Sequence, residues 1–229
     1  MSLVRNSSTS DASTQYDEEF ERGESKLIGG IRSNPRKRVA DKNVFKPQVS
    51  MPNHIEEHLS TYDGLPTKDK LRKHPETRGL SPEQHAEINT LKQKLTCELI
   101  ETDCKPNSAI IELMEYLRSQ GIRMACCSNS IRPSVEMMLG KSGILQYMDF
   151  LISNEDVENS KPAPDMYLDA ISRLELKPVE VLICEDNIIG ITAALHSGSY
   201  VLEIGTVDDT NKENVSDAMA KIDSDALAD

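Results

Sequence analysis

The stretch "VLICEDNIIGITAALHSG", residues 181–198, decides the fold. Its first residues continue an apolar run, "VEVLICE" (179–185), with the length and composition of a buried strand. Two adjacent acids, Glu185 and Asp186, stand where that run ends. "GITAALHS" (190–197) then reads as a helix, and Gly190 and Ala193 are small enough to let it lie close to the strand before it. A buried strand, acids at its carboxyl end and an immediate helix make one unit of an alternating α/β chain.

The same grammar extends in both directions. Asn107 caps a helix carrying Ile110, Ile111, Met114 and Leu117, which Gly121 ends. "IRMACCS" (122–128) reads as a strand, Pro133 opens a helix with Val135, Met138 and Leu139, and "FLISN" (150–154) is the next strand. "APDMYLDAISRL" (163–174) is a helix, "YVLEIG" (200–205) a strand and "NVSDAMAKI" (214–222) a last helix. This alternation predicts an α/β core over 107–222, a Rossmann-like parallel sheet with helices on both faces.

The flanks differ. Residues 54–103 carry no strand signal. Ser81, Pro82 and Gln84 form a capping box with Pro at the first helical position, and Ile88, Leu91, Leu95 and Leu99 follow as an apolar stripe. "YDGLPT" (62–67) is a turn before a shorter helix with Leu71. These residues predict a small helical domain. Residues 1–50 read mostly as an irregular tail, with a strand possible at 26–31 within "SKLIGGI", and 223–229 as a C-terminal tail.

Composition removes several function classes. The chain has 229 residues, 38 acids against 26 Lys and Arg, and a formal charge of -12, so its surface repels bare nucleic acid and anionic membranes. With no Trp and three Phe it offers no stacking platform for bases. The basic cluster "NPRKR" (34–38) reads as solvated surface, so nucleic acid is not an expected partner. No apolar run approaches the roughly 20 residues of a membrane span. The first twenty residues lack the apolar core of a signal peptide, and their acids argue against a transit peptide. Five Cys without a C-x-x-C read as reduced thiols in a cytoplasmic protein. A protein partner is left open, through the N-terminal tail.

In an open parallel sheet, ligands sit at the carboxyl ends of the strands. "SNS" (128–130), "NSKPAPD" (159–165) and "EDN" (185–187) all fall there. Ser128 can hydrogen-bond a phosphate oxygen, and Lys161 brings a compact positive charge to the same group. Pro162 and Pro164 stiffen the loop that presents it. Glu185 and Asp186 are candidate ligands of Mg²⁺, which prefers oxygen donors, or residues that orient the site. Alone, each piece is ordinary: a loop, a surface lysine, a solvated acid pair. In this order, on this pattern, they point to one phosphate-and-metal site.

The order "CCSNS", "SKPAPDMY", "ICEDNIIGITAA" closely resembles the haloacid dehalogenase superfamily of phosphohydrolases, and within it the branch of sugar-phosphate phosphatases and β-phosphoglucomutases. The likeness runs from about His54 to about Ile222, with 54–103 resembling that branch's cap domain. The resemblance implies a Mg²⁺-dependent phosphohydrolase or phosphomutase acting on a small phosphorylated metabolite. Ser128 then matches the hydroxyl that binds the phosphoryl group, with Asn129 beside it. Lys161 matches the lysine that neutralises phosphate and nucleophile, and Asp186 the magnesium ligand, with Glu185 its neighbour. Gly64, Leu65, Thr67 and Lys70 fall in the cap loop that contacts the leaving group.

One departure is serious. The family's chemistry depends on D-x-D-G-[TV] at the end of the first strand, whose first Asp attacks phosphorus. The sole D-x-D in this sequence is Asp223-Ser224-Asp225, at the wrong end, and "TYDGLPT" has Thr61 in the attacking position. Whether the chain is an enzyme therefore stays open: it is a phosphatase or phosphomutase of this kind, or a catalytically dead relative that binds a ligand or a partner. The missing central strand leaves a slot in the sheet. Unpaired buried backbone groups cost about 1–3 kcal/mol each, so residues 26–31 are expected to fill it; the alternative is a chain that lacks the strand by truncation.

Overall fold

The computed structural model describes residues 2, 3, 62 and 64–226. Its sheet has five strands, β1 (Ser2–Leu3), β2 (Met124–Cys127), β3 (Phe150–Ile152), β4 (Leu182–Glu185) and β5 (Tyr200–Glu203), in the spatial order β3-β2-β1-β4-β5. β2 runs parallel to β3, with Cys126 opposite Leu151, and β4 parallel to β5, with Cys184 opposite Leu202. The expected parallel α/β core is present.

The centre of the sheet differs from expectation. Ser2–Leu3 occupies the slot between β2 and β4 and is antiparallel to both, with Ser2 opposite Ala125 on one side and Ile183 on the other. The segment 26–31, which the sequence suggests for this place, lies outside the described residues. The physical demand is the one anticipated, backbone groups that need partners, but a two-residue strand meets it.

The described residues form seven helices: α1 (Thr67–Lys73), α2 (Pro82–Asp103), α3 (Ser108–Ser119), α4 (Arg132–Lys141), α5 (Asp165–Arg173), α6 (Ile188–His196) and α7 (Lys212–Ala226). Alternate strand residues feed two separate cores, as a pleated strand requires. Met124, Cys126, Leu182 and Cys184 pack with α3, α4 and α7 through side chains such as Met114, Val135 and Val215. Cys127, Ile152 and Ile183 pack with α5 and α6 through Met166, Ile171 and Ala193. Helices thus cover both faces.

Local signals place several helix ends. Asn107 accepts hydrogen bonds from the amides of Ala109 and Ile110, and Ser81 and Gln84 form the reciprocal capping box at the start of α2. Two details differ from the sequence reading. α7 continues to Ala226, so Asp223, Ser224 and Asp225 extend the last helix instead of starting a tail. On α2 the buried residue is Ile100, while Leu91 in the expected stripe is 48% exposed. The main neighbours of α2 are α1 and α4. No sheet face lies beneath it to cover a full apolar stripe.

Burial pushes the Cys127 thiol up to about 12 and the Cys184 thiol up to about 11. The thiolate is the reactive form, and at pH 8 a thiol of that first value is ionised to about one part in ten thousand. Native protein treated with iodoacetamide at pH 8 should therefore be alkylated at half-buried Cys97, while Cys127 and Cys184 react only in denaturant; peptide mass mapping reads the difference. Labelling of Cys127 at the rate of Cys97 would contradict the burial.

Candidate active site

Three strand-end loops meet at the carboxyl edge of the sheet. The loop after β2 is held by backbone bonds: the Ser128 amide donates to Ile152 O (2.9 Å) and the Asn154 amide to Ser130 O (3.2 Å). Ser128 Oγ accepts from the Ser130 amide at 3.2 Å, which leaves its own O–H to be donated elsewhere. The loop after β3 is braced from beneath. Asp156 accepts from Arg132 Nη2 (2.7 Å) and from the amide (2.7 Å) and hydroxyl (2.6 Å) of Ser153. Burial alone would raise the Asp156 carboxyl, but these donors outweigh it and hold it at about 2.

Asn129 ties two of these loops to a third segment. Its Nδ2 donates to Lys161 O (3.0 Å) and to Gly64 O (2.8 Å), and its Oδ1 accepts from the Lys161 amide (3.0 Å). Both amide hydrogens and the amide oxygen are thereby committed, which makes Asn129 a positioning residue. Gly64 has φ +78, a conformation that favours glycine, and a Cβ there would meet Asn187 Oδ1 at 2.5 Å. The turn before α1 therefore rests directly on the core loops. Of the four residues expected to contact a substrate from this side, Gly64 makes the contact with the core. Leu65, Thr67 and Lys70 lie on the turn and on α1 beyond it.

Lys161 and Glu185 form a buried ion pair. Lys161 is 7% exposed and Glu185 5%. The Lys161 ammonium donates to Glu185 Oε1 at 2.5 Å and to Cys127 O at 2.9 Å. The Tyr167 hydroxyl donates to the same Glu185 oxygen, and the Tyr167 ring centroid lies 4.6 Å from the ammonium. Burial pushes the Glu185 carboxyl up, but the positive charge of the N-terminal amino group, the charge and hydrogen bond of Lys161 and the bond from Tyr167 bring it below its usual value. Gly190 makes room for this arrangement: a Cβ at that position would land on the Glu185 carboxylate.

Asn129, Lys161, Glu185 and Gly64 are thus linked by short contacts, Ser128 precedes Asn129 in the same loop, and Asp186 stands exposed at the end of the same strand as Glu185. Sequence reasoning missed Tyr167. The signal for it was a lone hydroxyl on the otherwise apolar inner face of α5, six residues after Lys161. Asn187, placed at this edge within 185–187, was given no role by the sequence; its side chain caps α6 by accepting from the Ile189 amide at 2.9 Å.

A resident Mg²⁺ is a poorer match. Among the described residues no group of three or more His, Cys, Asp or Glu side chains is placed to hold a metal ion. Glu185 is committed to Lys161 and Tyr167, so of the expected acid pair only Asp186 reaches the rim. These residues do not by themselves fit a bound Mg²⁺, which wants one or two carboxylates and several further oxygens.

Comparison with known proteins agrees with the fold. The chain is 29% identical over 119 residues to a haloacid dehalogenase-like hydrolase domain-containing protein of Arabidopsis thaliana, covering 51% of this chain and 37% of that one. It is 25% identical over 149 residues to the phosphorylated carbohydrates phosphatase of Thermotoga maritima, covering 59% and 67%. The chain therefore spans from about a third to two thirds of the length of these relatives. The fold is similar to that of β-phosphoglucomutase from Clostridium difficile, with a TM-score of 0.62 and 19% identity over 80% of this chain and 87% of that one. The family described as haloacid dehalogenase-like hydrolase matches residues 41–204, more than half of the sequence, and the chain belongs to that family.

Proposed function

We propose that this chain binds the phosphoryl group of a small phosphorylated metabolite, of the sugar-phosphate class, at the rim formed by Ser128 and Lys161, and turns it over little or not at all. One observation carries the second half of this reading. The slot at the centre of the sheet holds Ser2–Leu3, neither of them an acid, and the sequence contains no D-x-D-G-[TV]. With no carboxylate there among the described residues, the covalent aspartyl-phosphate route lacks its nucleophile.

The binding half rests on donors left to give. An ammonium has three N–H bonds, and Lys161 places one on Glu185 and one on Cys127 O, which leaves one for a phosphate oxygen. The Ser128 hydroxyl is free to donate to the same group. Asn129 and Tyr167 act through Lys161 by fixing its backbone and its charge. The helical segment from Gly64 to Asp103 is the cap in this reading, with the Gly64 turn closing over the phosphoryl group and setting which leaving group fits. A sugar phosphate is favoured because the Thermotoga relative is named for phosphorylated carbohydrates. Mg²⁺ has no role in this binding scheme.

Phosphate release from a sugar-phosphate panel, measured with Mg²⁺ present, should not exceed the protein-free control. Isothermal titration with the same panel should detect binding, and Ser128→Ala should weaken it about tenfold, the loss expected for one hydrogen bond to a charged group. Release that scales with protein and disappears in Ser128→Ala would restore the hydrolytic reading. No binding by any member of the panel would remove the phosphoryl site itself.

A further inference from the structure

A second cavity lies away from this rim, between α1 and the start of α2. Its volume is about 270 Å³, and Lys68 and Arg72 from α1 face His85 and Asn89 from α2 across it, with Leu71 and Pro82 contributing apolar wall. Among the described residues no carboxylate lines it. That is notable in a chain of net charge -12.

Local geometry explains why these groups converge. Lys68 and Arg72 are four residues apart, as are His85 and Asn89, so each pair stands on one face of its helix. Neither Lys68 nor Arg72 has a carboxylate partner among the described residues. His85 Nε2 donates to the Thr77 carbonyl at 2.7 Å, which holds the ring at the mouth of the cleft. The capping box at Ser81 and Gln84 fixes where the 22-residue α2 begins, and its positive end lies on this cavity. Two cations four residues apart, with no carboxylate partner among the described residues, repel each other, and an anion between them would relieve that repulsion.

We propose that this cleft is a second anion-binding site, separate from the Ser128–Lys161 rim, that takes a small organic phosphate or phosphonate with an apolar or ring-shaped body. The anionic head pairs with Lys68 and Arg72. The Asn89 amide donates to it, and the body lies against Leu71 and Pro82. Arg72 supplies the planar fork that suits a tetrahedral oxyanion, and Lys68 a point charge. The volume exceeds what an inorganic ion needs, which is the reason for assigning a ligand with a body. α1 starts three residues after Gly64, whose carbonyl is bound by Asn129. A ligand that joins α1 to α2 therefore also restrains the turn that rests on the core loops.

The test uses the full chain and phenylphosphonate, which a phosphatase cannot hydrolyse, with inorganic phosphate as the second probe. Backbone amide shifts in a ¹H–¹⁵N spectrum should move saturably at residues 68–72 and 85–89, with phenylphosphonate binding more tightly than phosphate. The double variant Lys68→Gln/Arg72→Gln, both positions being exposed, should raise the cleft Kd about tenfold or more. Ser128→Ala should leave the cleft Kd unchanged. Shifts spread evenly over exposed cations, an unchanged Kd in the double variant, or a cleft response lost in Ser128→Ala would each overturn the proposal. The last outcome would hand the probe to the rim.

Discussion

Lys161→Met is expected to cost about 3–5 kcal/mol of stability, read as a shift of the urea midpoint at pH 7. The residue is buried, and removing its ammonium leaves the Glu185 carboxylate, also buried, with the Tyr167 hydroxyl as its remaining donor of the two described. The Cys127 carbonyl loses a donor as well. An uncompensated buried charge costs more than the pair contributed, because the desolvation of Glu185 is no longer offset. The double variant Lys161→Met/Glu185→Gln should recover most of the loss, since the methionine keeps the stem and the glutamine keeps the shape without the charge. A single variant as stable as the parent would show that the pair is not buried as described.

The pH dependence has a definite sign. In the parent the Glu185 carboxyl lies below its usual 4.5. A depressed carboxyl contributes stability that is fully present above the unfolded value and disappears as pH falls through the folded value. In Lys161→Met the burial remains while one of the charges that oppose it and a hydrogen bond are gone, so the carboxyl should rise and protonation should help the variant. The gap between parent and variant should therefore start to narrow above 4.5, as the variant's raised carboxyl takes up its proton, and go on narrowing below 4.5 as the parent loses its contribution. A gap that widens on acidification would refute this account of the pair.

Gly190→Ala is the second large effect, expected to cost about 1–3 kcal/mol and to lie near the upper end. A free carboxylate end could swing away from a new methyl group at little cost. Glu185 cannot do so without giving up Lys161 and Tyr167. Elsewhere in a helix the same change gains roughly 0.5–1 kcal/mol. The background Lys161→Met/Glu185→Ala removes the clash, so there Gly190→Ala should be neutral or stabilising. The measured quantity is the coupling between positions 185 and 190 in a double-mutant cycle. Additive costs would mean that the glycine serves backbone freedom alone.

These two variants also mark where sequence reasoning stopped. The strand-then-helix order, the Asn107 cap and the Ser81–Gln84 box were legible because each depends on neighbours a few residues apart, and periodicity or capping chemistry reads such neighbours directly. The smallness of Gly190 was legible too, as a close approach of helix to strand. What it approaches was not: the sequence left Glu185 as an acid that either binds a metal or orients the site, and in the fold it is enclosed by Lys161 and Tyr167, 24 and 18 residues away in the chain. Nothing local distinguishes a strand-end acid that faces solvent from one that meets a lysine brought over by another loop. The stripe on α2 failed for a related reason. Its spacing was correct, but which face is covered depends on α1 and α4, and Leu91 lies off that contact.

By itself the sequence determined the alternating core, the two-faced sheet and the convergence of 128–130, 159–165 and 185–187 at one edge, since hydrophobic period and chain order suffice for these. Only the tertiary structure decided what fills the middle of the sheet and how the charges there are spent. Ser2–Leu3 is too short to carry a pattern, and its place between β2 and β4 follows from unpaired backbone groups more than a hundred residues away along the chain.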